Sequence, residues 1–480
     1  MEVRKVLIHG TYENSASSET LEVINPSTGD IISLIPICEK ADVDKAVESS
    51  LIGFRTWKNT TAEQRAKIIH AAAELMRQNK EQLAKEISLE MGKPIKAALE
   101  EVNSSADVID FFAEEGLRIK GDIYQRNYAN EQIQVTKEPV GVVAGITSAN
   151  YPIALISWKL GAALACGCSF ISKPNEHSSS SAMILGQLFL NAGLPVGVFN
   201  VISGNGITGD LLVEHPDVAK VSFTGSNEVG KKVAESAAKS CKRISLELGG
   251  QSAAIVMDGI VSEEIIDDFV AQAFRNSGQN CYRINRAYIH SEIYDEFINV
   301  LLDRVSKLKV GAADNPDTDL GPLYRKGILN RAITHIRDAD EKGAKLIYGG
   351  NQIKSNPGTY YVEPTIFAET NHSMLIMTDE SFSPVLSIMK IESISEAINY
   401  VNDSIYGLAS FVYTHDAGLG LQVARQLETG VVWVNKIHRA YDFAPFGGCK
   451  QSGYGREKSN YGLNEYLELK TVYLSLPEIN

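Results

Sequence analysis

The sequence predicts an α/β protein made of a parallel-sheet unit, a second α/β lobe and a small β arm. Three observations lead there: β-prone runs alternate with amphipathic stretches between residues 140 and 250, a second such series runs from about 250 to 450, and the tail alternates in a β-prone pattern. Strands interleaved with helices at this spacing argue for βαβ crossovers, hence a parallel sheet covered on both faces. The length, 480 residues, exceeds what a single ordinary core organises.

Residues 41–58, 62–90 and 94–118 read as charged amphipathic helices; in "AEQRAKIIHAAAELMRQNKEQLAKEI" (62–87) apolar residues recur at helical spacing. The first β series is "VGVVAGIT" (140–147), "CSFISKP" (168–174), "VFNVIS" (198–203), "KVSFTG" (220–225) and "RISLEL" (243–248), with helical stretches at 152–167, 178–192, 207–215 and 226–240. In such sheets ligands bind beyond the carboxyl ends of the strands. The apolar run "PIALISWKLGAALACGCSFIS" (152–172) is no membrane span: Pro152 opens it, Lys159 interrupts it, and its second part reads as a strand. The second series comprises helix 262–277, strand 286–290, helix 292–308, helix 325–342, strand 345–348, helix 395–402 and strand 431–435. The tail "GLNEYLELKTVYLSL" (462–476) lacks a following strand, and its nearest mate is "EQIQVTKEP" (131–139). An edge of that kind commonly joins another sheet, its own or a partner subunit's.

Composition excludes several functions. A net charge of −13 without a dense Lys/Arg block disfavours nucleic acid. Six cysteines, mostly in apolar runs, read as reduced thiols of a cytoplasmic protein. The nine histidines are scattered, with no pair at helical spacing and no CxxC, so no metal is expected. The start of the chain has no long apolar stretch of the secretory kind.

Five short stretches offer chemistry, each with a plainer alternative. In "SKPNE" (172–176), Lys173 and Glu176 either project into the ligand crevice, where an acid accepts ribose hydroxyls, or are solvated loop charges. In "FTGSNEVG" (223–230), Gly225 permits a sharp turn and Ser226 opens a helix; its free amides suit a phosphate, or Ser226 is an ordinary cap. In "LELGG" (246–250), Glu247 either faces outward or is a buried carboxylate whose raised pKa makes it a general base. In "TSANYP" (147–152), Asn150 caps a helix or donates to an oxyanion. In "GQNCYRINR" (278–286), Cys281 is packing or a nucleophile, and Arg275, Arg283 and Arg286 either assist it or face solvent.

Taken together and in this order, these pieces resemble the aldehyde dehydrogenase superfamily across nearly the whole chain, as do "DESFSPV" (379–385) and "PFGGCKQSGYGRE" (445–457). The resemblance implies a Rossmann-like nucleotide-binding domain (1–120 and 140–249), a catalytic domain (250–460) and an oligomerisation arm (121–139 and 461–480) of a homodimer or homotetramer. It implies that Cys281 attacks an aldehyde, that Asn150 and the Cys281 N–H hold the oxyanion, and that Glu247 helps water hydrolyse the thioester. Lys173 and Glu176 then correspond to adenosine-ribose contacts, Gly225 and Ser226 to the pyrophosphate site, Gly249 to the nicotinamide path, and Glu380 with Phe382 to the second ribose.

Glu176 should repel a 2′-phosphate, which favours NAD, with NADP as the alternative. Arg275 resembles a position of the succinate-semialdehyde branch, where a cation pairs with a substrate carboxylate. That branch's second arginine is replaced by Trp158, and Phe446 joins these two as a substrate contact. The tail resembles enzymes of short hydroxyaldehydes, so the expected substrate is a small polar or anionic aldehyde. Three departures stand out: Ala149 where many relatives have Trp, which should widen the substrate tunnel; Ser383 within "FSPV", which should shift the nicotinamide-ribose loop; and Asn280 and Tyr282 flanking the thiol, which argue against an adjacent-cysteine switch. Two rivals remain: a coenzyme-A-acylating or phosphate-linked enzyme on the same fold, which Glu247 opposes, and a non-catalytic scaffold, which the three reactive residues oppose.

Overall fold

The computed structural model describes residues 3–475 and 477, apart from 126, 128, 129, 258, 260 and 355–358. Two large sheets organise them. In the first, five parallel strands run in the order Phe199–Val201, Ser169–Lys173, Val142–Ile146, Val218–Thr224 and Arg243–Glu247, flanked by antiparallel Val6–Ile8 and Thr11–Glu13 on one side and Gly453–Tyr454 on the other. Chain order reverses between Val142–Ile146 and Val218–Thr224, which pair with Phe223 opposite Ile146. A crevice opens at such a reversal, beyond the strands' carboxyl ends. All five residues of Val142–Ile146 are buried, because helices cover both faces and a two-sided burial selects a continuous apolar run.

The second sheet aligns six parallel strands, Thr365–Ala368, Val385–Ile391, Arg286–His290, Ala253–Val256, Ala409–Tyr413 and Val431–Val434, with Lys345–Tyr348 antiparallel at one edge. A third, smaller sheet pairs the tail strand Leu467–Ser475 with Glu131–Pro139 over their whole length, Leu467 opposite Pro139 and Ser475 opposite Glu131, and adds Asp122–Tyr124. This is the pairing the alternation predicts. Of the expected arm, residues 126, 128, 129, 476 and 478–480 lie outside the described residues.

Helix Ala154–Cys166 is buried on almost every side, with Lys159 inside, and explains the apolar run at 152–172. Among the described residues no helix is long and apolar enough to cross a membrane. All six cysteines are free thiols.

Several boundaries differ from expectation. The stretch 62–90 is two helices, Ala62–Gln78 and Lys80–Met91, broken at Asn79, whose side chain donates to the Leu75 carbonyl at 2.8 Å and so competes with helix continuation. Helix 262–277 stops at Phe274. Asn276, Ser277 and Gly278 follow in the left-handed region, at φ of 53°, 55° and 76°. The segment 292–308 is a short 3₁₀ turn, Ser291–Ile293, leading into Tyr294–Val305. Strands Ala253–Val256, Thr365–Ala368, Val385–Ile391 and Ala409–Tyr413 went unread, being short buried runs without alternation.

Candidate active site

Five segments converge on one cavity of about 690 Å³ between the sheets. From the first sheet come the turn after Val142–Ile146, with Ser148 and Asn150, the turn after Val218–Thr224, with Gly225 and Ser226, and the end of Arg243–Glu247, with Glu247 and Gly249. From the second lobe come Cys281 and the loop carrying Glu380 and Phe382. Arg275, Trp158 and Phe446 line it as well.

The cysteine loop is built to be rigid. Three consecutive left-handed residues fold the chain back after Phe274, a conformation disfavoured for Asn276 and Ser277 and held by side-chain bonds. Asn276 Nδ2 donates to the Asn150 carbonyl (3.2 Å) and the Gln279 carbonyl (3.1 Å), while Ser277 Oγ donates to the Gly321 carbonyl (2.7 Å). Buried Gln279 accepts the Tyr324 N–H at 3.0 Å. Asn150 Nδ2 returns a bond to the Gln279 carbonyl at 3.2 Å, which leaves its second N–H for another acceptor. Gly250 is required by contact: a Cβ there would stand 2.6 Å from the Cys281 carbonyl oxygen. Burial pushes the Cys281 thiol well up, and the carboxylates Glu380 and Glu247 push it further, so the resting sulfur is protonated.

Glu247 is 5% exposed, and neither of its carboxyl oxygens has a hydrogen-bond partner among the described residues. Desolvation raises its pKa well above the usual value, Glu457 adds to that, and Lys159 and Arg456 oppose it. The outward-facing alternative is therefore excluded. Lys159 and Glu457, which sequence reasoning gave no role, form a buried ion pair, and Lys159 Nζ also donates to Thr224 Oγ1 at 2.7 Å. A lysine interrupting an apolar helix was their one visible signal, since a buried charge demands a partner.

Also on the cavity wall, Glu380 accepts the Gly250 N–H at 3.3 Å. Desolvation pushes its carboxyl up to about 7, against that bond and the Arg283 and Arg331 cations. Phe382 sits at φ 55°. Ser226 Oγ accepts the Val229 N–H at 3.4 Å and caps Asn227–Ala238, so the hydroxyl is a cap that also lines the cavity. This set fits a dinucleotide: a helix N-terminus with free amides for a pyrophosphate, and a desolvated carboxylate for a ribose diol.

Lys173 and Glu176 do not line the cavity. Their strand lies one place beyond Val142–Ile146, on the side away from the reversal. Lys173 is buried and donates to the Pro174 carbonyl at 3.2 Å; half-buried Glu176 lies close enough to favour its charge. Ala149 opens no tunnel, because it is fully buried in a cluster with Met91 and Tyr324. Ser383 is likewise buried. Arg283 and Arg286 are each 1% exposed and line no part of the cavity, so neither faces solvent.

The remaining wall is aromatic and cationic. Trp158 meets Phe446 edge-on at 5.4 Å, Phe446 meets Tyr282 at 5.4 Å, and Lys458 Nζ lies 4.5 Å over the Trp158 ring. Arg275 has a loose partner in Glu100 at 3.7 Å, whose side chain is 71% exposed. Among the described residues no group of three or more His, Cys, Asp or Glu could hold a metal ion.

The family model of the aldehyde dehydrogenase family matches residues 12–472. The mitochondrial succinate-semialdehyde dehydrogenase of Arabidopsis thaliana is 39% identical over 98% of this chain and 88% of its own. A 3-sulfolactaldehyde dehydrogenase of Pseudomonas putida is 38% identical over 98% of this chain and 97% of its own. The NAD+ complex of an aldehyde dehydrogenase from Bacillus cereus superposes with a TM-score of 0.96 at 34% identity, covering 99% of this chain and 97% of the other. The resemblance drawn from the motifs and the α/β architecture are thus both borne out. This chain belongs to the aldehyde dehydrogenase family, and is an oxidoreductase that converts an aldehyde to an acid with a nicotinamide dinucleotide.

Proposed function

We propose that the chain oxidises a small aldehyde carrying an anionic or polar group to the carboxylic acid, with NAD as hydride acceptor. One observation carries the reading: Cys281, Glu247 and Asn150 meet in a single cavity that also reaches the helix N-terminus at Ser226 and the carboxylate of Glu380. In it, the body of the first sheet (1–120 and 140–249) is the nucleotide-binding domain and 250–460 the catalytic domain.

Cys281 Sγ adds to the carbonyl carbon and passes its proton to solvent water, and the oxyanion receives the free Asn150 Nδ2–H and the Cys281 N–H. Each such donor contributes about 10²–10³ in rate. When bound, the nicotinamide accepts hydride from the carbon attached to sulfur. Glu247, lacking hydrogen-bond partners among the described residues and raised in pKa, takes a proton from the water that attacks the resulting thioester. Collapse releases the acid and the thiolate. Gly225 and Ser226 would hold the pyrophosphate, Gly249 would border the nicotinamide, and Glu380 and Phe382 would hold its ribose. Lys173 and Glu176 lie beyond the cavity towards the adenosine end, where the Glu176 charge disfavours a 2′-phosphate.

Arg275 marks the substrate end, since its exposed partner is displaced readily by an incoming anion. The two curated relatives are named for aldehydes with an acidic group, which supports the same choice. Trp158 and Phe446 contribute apolar contact beside it. The exposed sheet Leu467–Ser475/Glu131–Pro139 is the contact of a homodimer or homotetramer, and the reduced thiols suit the cytoplasm.

The test is a substrate panel with both nucleotides and without coenzyme A. Succinate semialdehyde should exceed the neutral four-carbon aldehyde in kcat/KM by about 10², an interaction of the size of a charge-assisted pair. Arg275→Met should erase that ratio; equal rates for both aldehydes overturn the anionic assignment. Absence of NADH until coenzyme A or phosphate is added would favour the acylating rival.

A further inference from the structure

We infer that Arg283 is a positioning residue that ties the cysteine loop to the loop presenting Glu380 and Phe382, so that thiol placement and cofactor seating move as one unit. The inference rests on the roles proposed above for those three residues.

Arg283 stands two residues beyond Cys281 and is 1% exposed. Its Nη2 donates to Ser381 Oγ at 2.9 Å and to the Val385 carbonyl at 3.0 Å. Its Nη1 donates to the Ala273 carbonyl at 3.4 Å and the Ile284 carbonyl at 3.1 Å. One guanidinium thus joins the helix end that precedes the cysteine loop, the segment that follows it, and both sides of Phe382. Its Nε has no partner among the described residues, and no carboxylate lies within ion-pair distance there. Burial pushes its pKa down to about 9, with the field of Glu380 opposing. A buried cation without a counter-ion is costly to keep, and packing alone would be served by an apolar side chain of the same length. What only arginine supplies is a planar fork of donors able to bridge acceptors on separate segments.

A second contact couples the same two loops. At Gly278, three residues before the thiol and at φ 76°, a Cβ would collide with the Ser383 carbonyl oxygen, so the two backbones touch directly. Displacement of 380–385 therefore carries 278–284 with it through both Gly278 and Arg283. The sequence left Arg283 either assisting the thiol or facing solvent; the structure does neither, burying it away from the cavity and against the neighbouring loop.

The experiment follows the alkylation rate of Cys281 by iodoacetamide, read by mass spectrometry of its peptide, with and without NAD, in the parent, Arg283→Met, Arg283→Lys and Ser381→Ala. NADH production, KM for NAD and the thermal midpoint are measured on the same proteins. In the parent, NAD should change the alkylation rate several-fold. Arg283→Met should abolish that dependence and raise KM for NAD more than tenfold, Arg283→Lys should restore part of it, and Ser381→Ala, which leaves the cation in place, should halve it while keeping the midpoint. A purely structural role would lower the midpoint yet leave the NAD dependence intact in the folded fraction, and that result overturns the proposal. So does a parent protein whose Cys281 reacts at one rate with and without NAD. Failure of the underlying reading looks different: Cys281→Ala would then still oxidise aldehyde.

Discussion

Glu101 and Glu247 are both buried carboxylates near one cavity, yet the protein treats them in opposite ways. Glu101 is fully paired: Lys93 contacts one oxygen, and the other accepts the Ile153 and Ala154 N–H groups at 2.9 and 3.1 Å, at the start of the helix that follows Asn150. Lys93 in turn lies 3.6 Å from the Tyr151 ring centroid. Glu247 has no partner on either oxygen among the described residues. A carboxylate given all its partners holds the backbone; one denied them has its proton affinity raised by desolvation. With the role proposed for Glu247, the difference separates scaffold from reagent without reference to either residue's place in the chain.

Glu247→Gln should break the comparison most strongly. The amide keeps the shape and removes the base, so steady-state turnover should fall by about 10²–10⁴, the usual contribution of a positioned general base. Hydride transfer precedes the step that needs Glu247, so a rapid NADH burst of about one equivalent should survive. The thermal midpoint should hold or rise, because a desolvated acid has gone. Stopped-flow absorbance checks the first two and a thermal melt the third; a lost burst would place Glu247 before hydride transfer.

Glu101→Ala tests the other half. Removing one member of a buried pair leaves Lys93 uncompensated, which destabilises by about 3–5 kcal/mol. Two helix N–H groups also lose their acceptor. Denaturant unfolding should register the loss, with a smaller fall in kcat as the turn at Asn150 loosens. A variant as stable as its parent would show that the pair contributes nothing net.

The reactive half of this contrast was more legible in the sequence than the supporting half. Cys281, Glu247 and Asn150 stand among unusual neighbours, a carboxylate before two glycines or a thiol after an amide, which marks them as candidates; the family resemblance then chose between each one's two readings. Their supports depend on contacts that sequence does not encode locally: Lys159 and Glu457 are 298 residues apart, and Asn276 bonds Asn150 across 126. The fold divides in the same way. The alternating tail foretold its partner strand, although in the single chain only Leu467 of Leu467–Ser475 is buried. Arg286–His290 was read in the second sheet, but its neighbours Ala253–Val256, Thr365–Ala368, Val385–Ile391 and Ala409–Tyr413 were not, because burial on both faces erases the period. The bend at 275–278 was read as helix, since three successive left-handed residues are set by bonds to Asn150, Gly321 and Gln279 and not by any repeat.

Glu380 stands between the two extremes and sharpens the contrast through pH. It has one N–H partner, Gly250, and faces the cations of Arg283 and Arg331 and the anion of Asp379, and its carboxyl titrates at about 7. The ribose diol needs an ionised acceptor, so the sign is fixed: affinity is full above about 7 and falls as protons bind below it. KM for NAD should rise by about tenfold per unit on the acid side, the limit for one proton. Glu380→Gln should flatten the profile at the weak-binding level. A KM constant between pH 6 and 8 in the parent would remove Glu380 from the cofactor site.

The smallest effect concerns Ser226, where capping and phosphate binding compete for one hydroxyl. The 3.4 Å bond from Val229 N–H is long, so Ser226→Ala should destabilise by about 1 kcal/mol or less. If the same hydroxyl also meets a phosphate oxygen, loss of one hydrogen bond worth about 0.5–1.5 kcal/mol raises KM for NAD roughly 2- to 10-fold. Alanine alone confounds the two, because a frayed first turn weakens an anion site indirectly. Aspartate separates them: it caps at least as well as serine and favours the positive helix end, yet puts a negative charge against the pyrophosphate. Ser226→Asp should therefore keep the thermal midpoint and lose NAD affinity by more than alanine does. A Ser226→Asp protein that binds NAD like its parent takes residue 226 out of the phosphate site and leaves it a cap.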